Sequence, residues 1–333
     1  MPRRGRSPPS DARHREPEGR AEPTEDTTEG VLTGFSIIGA VIAVGYLIAR
    51  FRVVPPEGRA VLSRIAFFVT TPALLFTVLA EADVSVLFSS FLLVSLITVA
   101  ITALLYLLAS RLFFRRPVPE TVIGIASSAY VNANNIGLPV AIYVLGDPQW
   151  VAPTLLMQLL LLAPAILTVL DASTSGRTSI GAVLTQPLRN PMLIASGLGL
   201  VVAATGVRLP PPVLEPLEII GNASIPLVLM AFGMSLRGQR PLEPGPARIE
   251  VVVASTLKSL VMPATAWLLG RFVFQLDAEH LFAVTVTAAL PTAQNIFTFA
   301  SRYERGLAVA RDTALVSTVA AVPVLIVVSL LLG

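Results

Sequence analysis

Val131-Asn132-Ala133-Asn134-Asn135-Ile136-Gly137-Leu138-Pro139 stands in the middle of an uncharged apolar span running from residue 121 to residue 146. Three asparagines, a glycine and a proline are costly there, because the bilayer core offers no water to pair exposed backbone groups. Pro139 removes a backbone donor and crowds the preceding turn, and Gly137 relaxes the chain further. The stretch predicts a transmembrane helix that opens near the bilayer midplane. A second stretch, Leu290-Pro291-Thr292-Ala293-Gln294-Asn295, has the same character inside another uncharged span, residues 281–301.

Outward from these two stretches, the composition names the solvent. Of 333 residues, 54% are hydrophobic and only 14% are charged, and the mean hydropathy is +0.75. A soluble domain carries about 25% charged residues. Apolar runs fill residues 31–49, 65–80, 84–110, 121–146, 148–170, 190–207, 219–236, 251–270, 281–301 and 313–333. A helix needs about 20 apolar residues to cross the hydrocarbon core. The expected fold is therefore an all-α polytopic membrane protein with ten transmembrane helices. Residues 1–29 hold six Arg and seven Asp or Glu with no apolar run, and read as a disordered tail.

The basic residues set an orientation. The loops after helices 1, 3, 5, 7 and 9, with the helix ends beside them, hold fifteen Arg, among them Arg59, Arg64, Arg116, Arg237 and Arg305. The loops on the other side hold only Arg208 and Arg271. The positive-inside rule places the Arg-rich side in the cytoplasm and both termini outside.

The halves of the chain also match one another. At an offset of 154, Gly45 falls on Gly199, Ala49 on Ala203, Val53 on Val207, Pro56 on Pro210 and Pro72 on Pro226. At an offset of 160, Arg111 falls on Arg271, Ala129 on Ala289, Ala133 on Ala293, and Asn134-Asn135-Ile136 on Gln294-Asn295-Ile296. Five helices per copy is an odd number, so the second copy is inverted. The organisation expected is a first repeat at 30–170, a short linker at 171–189 and a second repeat at 190–333. Inverted repeats with paired broken helices are the build of secondary transporters, which bind substrate at the breaks. Half-helix N-termini and the Asn and Gln amides would favour an anion there. The plainer reading, ordinary proline kinks with amides as interhelical glue, suits Pro153, Pro164, Pro263 and Pro323, which lack polar company. It suits the two repeat-related clusters less well.

Lys258 is the only charge deep inside a span, ten residues past Arg248 and so about 15 Å along the helix. It reads either as a substrate contact or as a structural cation satisfied by carbonyls of a broken helix. Gln158 reads as a polar lining residue or, by preference, as interhelical glue, and Glu218 and Asp312 as caps or rim charges. With no cysteine and only His14 and His280, metal sites are disfavoured. The spans contain no paired Asp, Ser–His dyad or metal cluster for an intramembrane enzyme, and no loop is long enough for a receptor domain. No cofactor and no nucleic-acid partner are expected.

Residues Ala289 to Phe297, continuing through Phe299-Ala300-Ser301-Arg302-Tyr303, together with Asn132, Gly137-Leu138-Pro139, Arg189-Asn190-Pro191, Gly233-Met234-Ser235-Leu236 and Lys258 ahead of Pro263, resemble the auxin efflux carrier family. The bacterial members of that family include malate and malonate permeases. The resemblance spans residues 31–333. It implies a scaffold of helices 1, 2, 6 and 7, a transport unit of helices 3–5 and 8–10, and crossing of helices 4 and 9 at their prolines beside the substrate carboxylate. It also implies a homodimer through the scaffold. Asn132 matches the family's Asn ahead of Gly-x-Pro, and Asn190 lies near a second Asn-bearing position. The resulting expectation is a secondary carrier of a small mono- or dicarboxylate in the cytoplasmic membrane. Its expected substrate-site residues are Asn132, Asn134, Asn135, Gly137, Pro139, Asn190, Lys258, Pro291, Gln294 and Asn295. The alternative is a sodium- or proton-coupled carrier of another solute on a related inverted-repeat fold.

Overall fold

The structure, a computed structural model, describes residues 25–55, 57–81, 90–175, 190–207, 209–238 and 247–333. Most of residues 1–29 and of the 171–189 linker lie outside that set. Among the described residues the chain is helical, and its only β pairing is a single bridge. Among the described residues, six helices are long and apolar enough to span a bilayer: Gly58–Glu81 (α2), Ser90–Phe114 (α3), Pro148–Thr174 (α6), Pro211–Ser235 (α8), Arg248–Val273 (α9) and Leu307–Leu332 (α12). The remaining helices are Glu25–Arg50 (α1), Val118–Ala129 (α4), Leu138–Tyr143 (α5), Pro191–Thr205 (α7), Ala278–Ala289 (α10) and Asn295–Tyr303 (α11). Large apolar side chains face outward on these helices, with Val319 73% and Leu331 75% exposed. Such faces are at home in lipid. The protein is a multi-pass membrane protein.

Several boundaries differ from the sequence expectation. The described part of α1 already includes Glu25, inside the expected tail. Helix α8 begins at Pro211 rather than Ile219, because Pro211 and Pro212 occupy the first helical positions, where a missing N–H costs nothing. Helix α12 starts at Leu307 and carries Asp312, which is 3% exposed and accepts from Arg311 at 2.7 Å. Asp312 is therefore a buried paired charge rather than a rim residue.

Four of the prolines inside the helices are absorbed by a common device. The π turns Ala66–Thr70, Ala133–Gly137, Gln158–Leu162 and Leu257–Val261 each end two residues before a proline: Pro72, Pro139, Pro164 and Pro263. A proline ring collides with the carbonyl four residues back in an α-helix. The wider π turn moves that carbonyl aside.

The helices pack in two groups. Helix α7 and the first half of α8 lie on α2, and α1 lies on the second half of α8. Close approach in this group is made by glycines. A Cβ on Gly45 would come within 2.2 Å of the Met230 carbonyl oxygen, and one on Gly199 within 2.7 Å of that of Phe76. Small residues are what lets helices pack where lipid removes the hydrophobic drive. In the second group α4 packs on α3, α6, α9 and α12, and α10 packs on α9 and α12. An ion pair at 2.5 Å between half-exposed Arg116 and buried Glu250 joins the starts of α4 and α9.

Candidate functional site

Helix α4 ends at Ala129, and Tyr130 takes an extended conformation. Asn132 then caps the following π turn, its Oδ1 accepting from the Asn135 N–H at 3.1 Å. The break thus lies at residues 130–132, seven residues before Pro139 rather than at it. Side chains that bond their own backbone offer the chain an alternative to helix, and here Asn132 does so. Helix α10 ends at Ala289, and Leu290 ahead of Pro291 is extended, the conformation that a following proline favours.

The two breaks cross as a two-residue antiparallel bridge between Val131 and Thr292. The Asn132 N–H donates to the Pro291 carbonyl at 2.7 Å, and the Ala293 N–H to the Tyr130 carbonyl at 3.1 Å. The backbone groups freed by each broken helix are thereby satisfied by the other, as the bilayer interior demands. Side chains complete the joint. The Thr292 hydroxyl donates to the Ser127 carbonyl at 2.5 Å, the Thr292 N–H to the Ser317 hydroxyl at 3.0 Å, and Gln158 Nε2 to the Val131 carbonyl at 2.8 Å.

In front of the crossing lies a cavity of about 690 Å³, walled by α2, α6, α8 and both breaks. It reaches from the crossing to Arg59 and Arg64. Six of the sequence-predicted residues are on its wall: Asn132, Asn134, Asn135, Asn190, Gln294 and Asn295. Asn132 is 3% exposed, and its Nδ2 has no hydrogen-bond partner; the bond at Oδ1 sets which way the amide faces. Asn134 donates to Asn135 Oδ1 at 3.0 Å and leaves its own Oδ1 unpartnered. Gln294 Nε2 donates to the Ser235 hydroxyl at 3.1 Å, linking the second break to α8. Asn190 caps α7 through bonds from Met192 N and Leu193 N.

The other four are not on the wall. Pro291 is in the crossing itself. Gly137 packs behind it, where a Cβ would meet Val151 and Leu290 at 2.9 and 3.0 Å, and Pro139 is buried in α5. Lys258 is fully buried on the far side, its ammonium donating to the Ala288 carbonyl at 2.7 Å. Sequence reasoning missed Arg59, Arg64 and Phe232 on the wall. It weighed Gln158 as a lining residue but preferred interhelical glue; Gln158 both ties the crossing and belongs to the cavity wall.

A polytopic helical protein whose cavity is closed at one end by two crossed, broken helices has the build of a membrane transporter. The family model described as "Membrane transport protein" matches residues 35–177 and 166–329. The chain belongs to that family, the auxin efflux carrier family. It is 26% identical over 291 residues to a Rhizobium meliloti (strain 1021) protein named "Putative malonate transporter", covering 85% of this chain and 89% of the relative. It is also 23% identical over 294 residues to an uncharacterized transporter of Methanocaldococcus jannaschii, covering 85% of this chain and 92% of that relative.

Proposed function

We propose that the protein is a secondary carrier of a small organic anion, a mono- or dicarboxylate of malonate size, working by alternating access across the cytoplasmic membrane. The observation that carries this is Asn132, a residue of the cavity wall at the crossing whose buried Nδ2 has no hydrogen-bond partner. A buried donor without a partner costs about 1–3 kcal/mol, and a carboxylate oxygen would relieve that cost. Asn295, first residue of α11, is on the same wall, so the positive end of a half-helix meets the same space. Arg59 and Arg64 near the mouth would draw anions inward. The name of the Rhizobium relative favours malonate as the first substrate to try.

The mechanism rests on a chain of ten spans in a 5+5 inverted repeat, with α4–α5 forming one broken span and α10–α11 another. The glycine contacts support the repeat. Gly45 on Met230 and Gly199 on Phe76 are the same contact shifted by the sequence offset of 154 in both partners. The π turns Ser110–Phe114 and Leu269–Val273, which close α3 and α9, fall at equivalent places near the offset of 160. In this reading α1, α2, α7 and α8 form the scaffold, and the remaining helices move against it as the transport unit. The cavity lies between the two and opens toward the Arg-rich side, which is the cytoplasmic side by the positive-inside rule. Both termini would then be outside, and a homodimer would pair scaffolds.

Purified protein in liposomes is expected to take up radiolabelled malonate above empty vesicles, with competition from other short carboxylates. Absence of uptake across a broad panel of organic anions would overturn the reading. The orientation is tested by a cysteine placed at Arg237 in this naturally cysteine-free chain; labelling from outside would reverse it.

A further inference from the structure

Gln294 ties the second break to α8, across the boundary between the two helix groups. Its Nε2 donates to the Ser235 hydroxyl at 3.1 Å, toward the long end of the N–H···O range. The Ser235 hydroxyl in turn donates to the Phe232 carbonyl at 2.6 Å. With its proton committed there, the hydroxyl offers lone pairs to Gln294, which sets the amide with its NH₂ group toward α8. Both ends are firmly held. Gly233, two residues before Ser235, lies directly against the Ile42 carbonyl of α1. Gln294 is the residue from which α11 starts, its own carbonyl accepting from the Phe297 N–H at 3.0 Å.

Ser235 is 7% exposed, and Gln294 is on the wall of the large cavity with Asn132, Asn135 and Asn295. The bond therefore stands beside the space that the carrier reading gives to the anion. The helix groups also meet in an apolar cluster, where Leu200 of α7 packs against Leu79 of α2 and Ala152 of α6. A carboxylate cannot compete for that contact. It can compete for the Gln294 amide, because a hydrogen bond to an ionised acceptor is roughly twice as strong as a neutral one.

We infer that the Gln294–Ser235 bond is a ligand-released latch, so that anion exchange outpaces net import. In the empty protein the latch holds the transport unit against the scaffold with the cavity open. An arriving carboxylate takes the Gln294 N–H from Ser235 and frees the unit to move. An empty unit that must move the same way, to fetch an anion from the far side, breaks the latch with nothing to replace it. Exchange avoids that step. The flux half of this inference rests on the carrier reading above; the latch itself is read by binding.

The test compares wild type, S235A and S235T. Malonate affinity is measured by titration calorimetry on purified full-length protein. Loss of one neutral hydrogen bond is expected to tighten binding roughly fivefold in S235A, since the ligand no longer displaces Ser235; S235T, which keeps the hydroxyl, should match wild type. Labelled malonate is then followed into right-side-out and inside-out membrane vesicles, empty or preloaded with unlabelled malonate. Wild type should exchange faster than it takes up net malonate by at least ~fivefold in one vesicle type only, the right-side-out one by the orientation given above. S235A should close that gap by raising net uptake, and S235T should restore it. If S235A fails to fold, Q294M should close the gap likewise while binding malonate more weakly. Weaker malonate binding in S235A, an unchanged gap, or failure of both S235A and Q294M to fold would make the bond merely structural and overturn the inference. Malonate flux with equal exchange and net uptake in wild type would sink the latch and keep the carrier. Absence of malonate binding and flux in every variant would sink the carrier reading, and the latch with it.

Discussion

The two breaks that cross at the centre are made by different chemistry. The first, at residues 130–132, is held by a side chain: Asn132 turns its carbonyl oxygen onto the Asn135 N–H and leaves its NH₂ group without a partner. The second, at residues 290–294, is held by covalent restriction and by its neighbours. Pro291 bars the helix, and Thr292 is fastened on both sides, to Ser127 and Ser317. The first therefore joins local structure to ligand chemistry in one residue, whereas the second is a rigid counterpart. The backbone bridge between them is nearly symmetric, but the side chains are not. The bond that a symmetric partner would make to the Val131 carbonyl is made by Gln158.

That contrast is open to test. The largest effect is expected from Asn132→Asp, which keeps the capping oxygen but replaces the donor with a negative charge. Malonate uptake should fall roughly 100-fold, on the scale of losing a hydrogen bond to a charged ligand, while the melting temperature stays within ~2 °C of wild type. Asn132→Ala should weaken uptake less and cost about 1 kcal/mol of stability from the lost cap. Equal loss of stability in both would make Asn132 merely structural.

Next come the prolines. Pro291→Ala lifts the local bar to helix, worth about 3 kcal/mol in a helix interior, and should reduce uptake roughly tenfold by letting α10 run on through the crossing. Pro139→Ala should change uptake by no more than about threefold, because the first break lies upstream and the π turn Ala133–Gly137 already absorbs the ring. The reverse order would return the first break to Pro139.

Thr292→Val removes the hydroxyl at nearly constant volume. A loss of about 1 kcal/mol, read as a melting temperature lower by about 2–4 °C, is expected with uptake largely kept. A drop in uptake without loss of stability would place Thr292 in ligand contact.

The smallest effect concerns how the two broken spans begin. α4 starts after Pro117 with no side-chain cap, whereas α10 is capped by Asp277, which accepts from the His280 N–H at 2.9 Å. That backbone bond, and then the His280 ring, hold the Asp277 carboxyl below its usual range. A depressed carboxylate contributes stability above its unfolded pKa and loses it as pH falls through the folded one. The gap in melting temperature between wild type and Asp277→Ala should therefore be constant near neutrality and close under acid. Asp277 is well exposed, so the gap should be small; a gap that widened with acid would refute the assignment.

Much of the architecture was legible because the bilayer leaves few options. Long uncharged runs must be helices, and an amide-rich cluster in such a run marks a place where the helix ends. The π turns were less legible, since a proline in a helix signals a disturbance without saying whether it kinks, breaks or widens the turn. Pro139 was misread for that reason: Leu138 ahead of it is helical, whereas Leu290 ahead of Pro291 is extended. Arg59, Arg64 and Phe232 entered the site from helices distant in sequence, and no local pattern marks a residue as facing a cavity that two helix groups create together.

By itself the sequence determined the solvent, the helical class, the two interrupted spans and the scarcity of buried charge, since each follows from hydropathy, charge and backbone chemistry acting locally. Only the tertiary structure decided that the breaks satisfy each other's backbone, that seven amide-bearing positions share one cavity, and that Lys258 turns away from that cavity toward the end of α10. Those are matters of which groups meet across helices, and a buried polar group takes its role from the partner it finds.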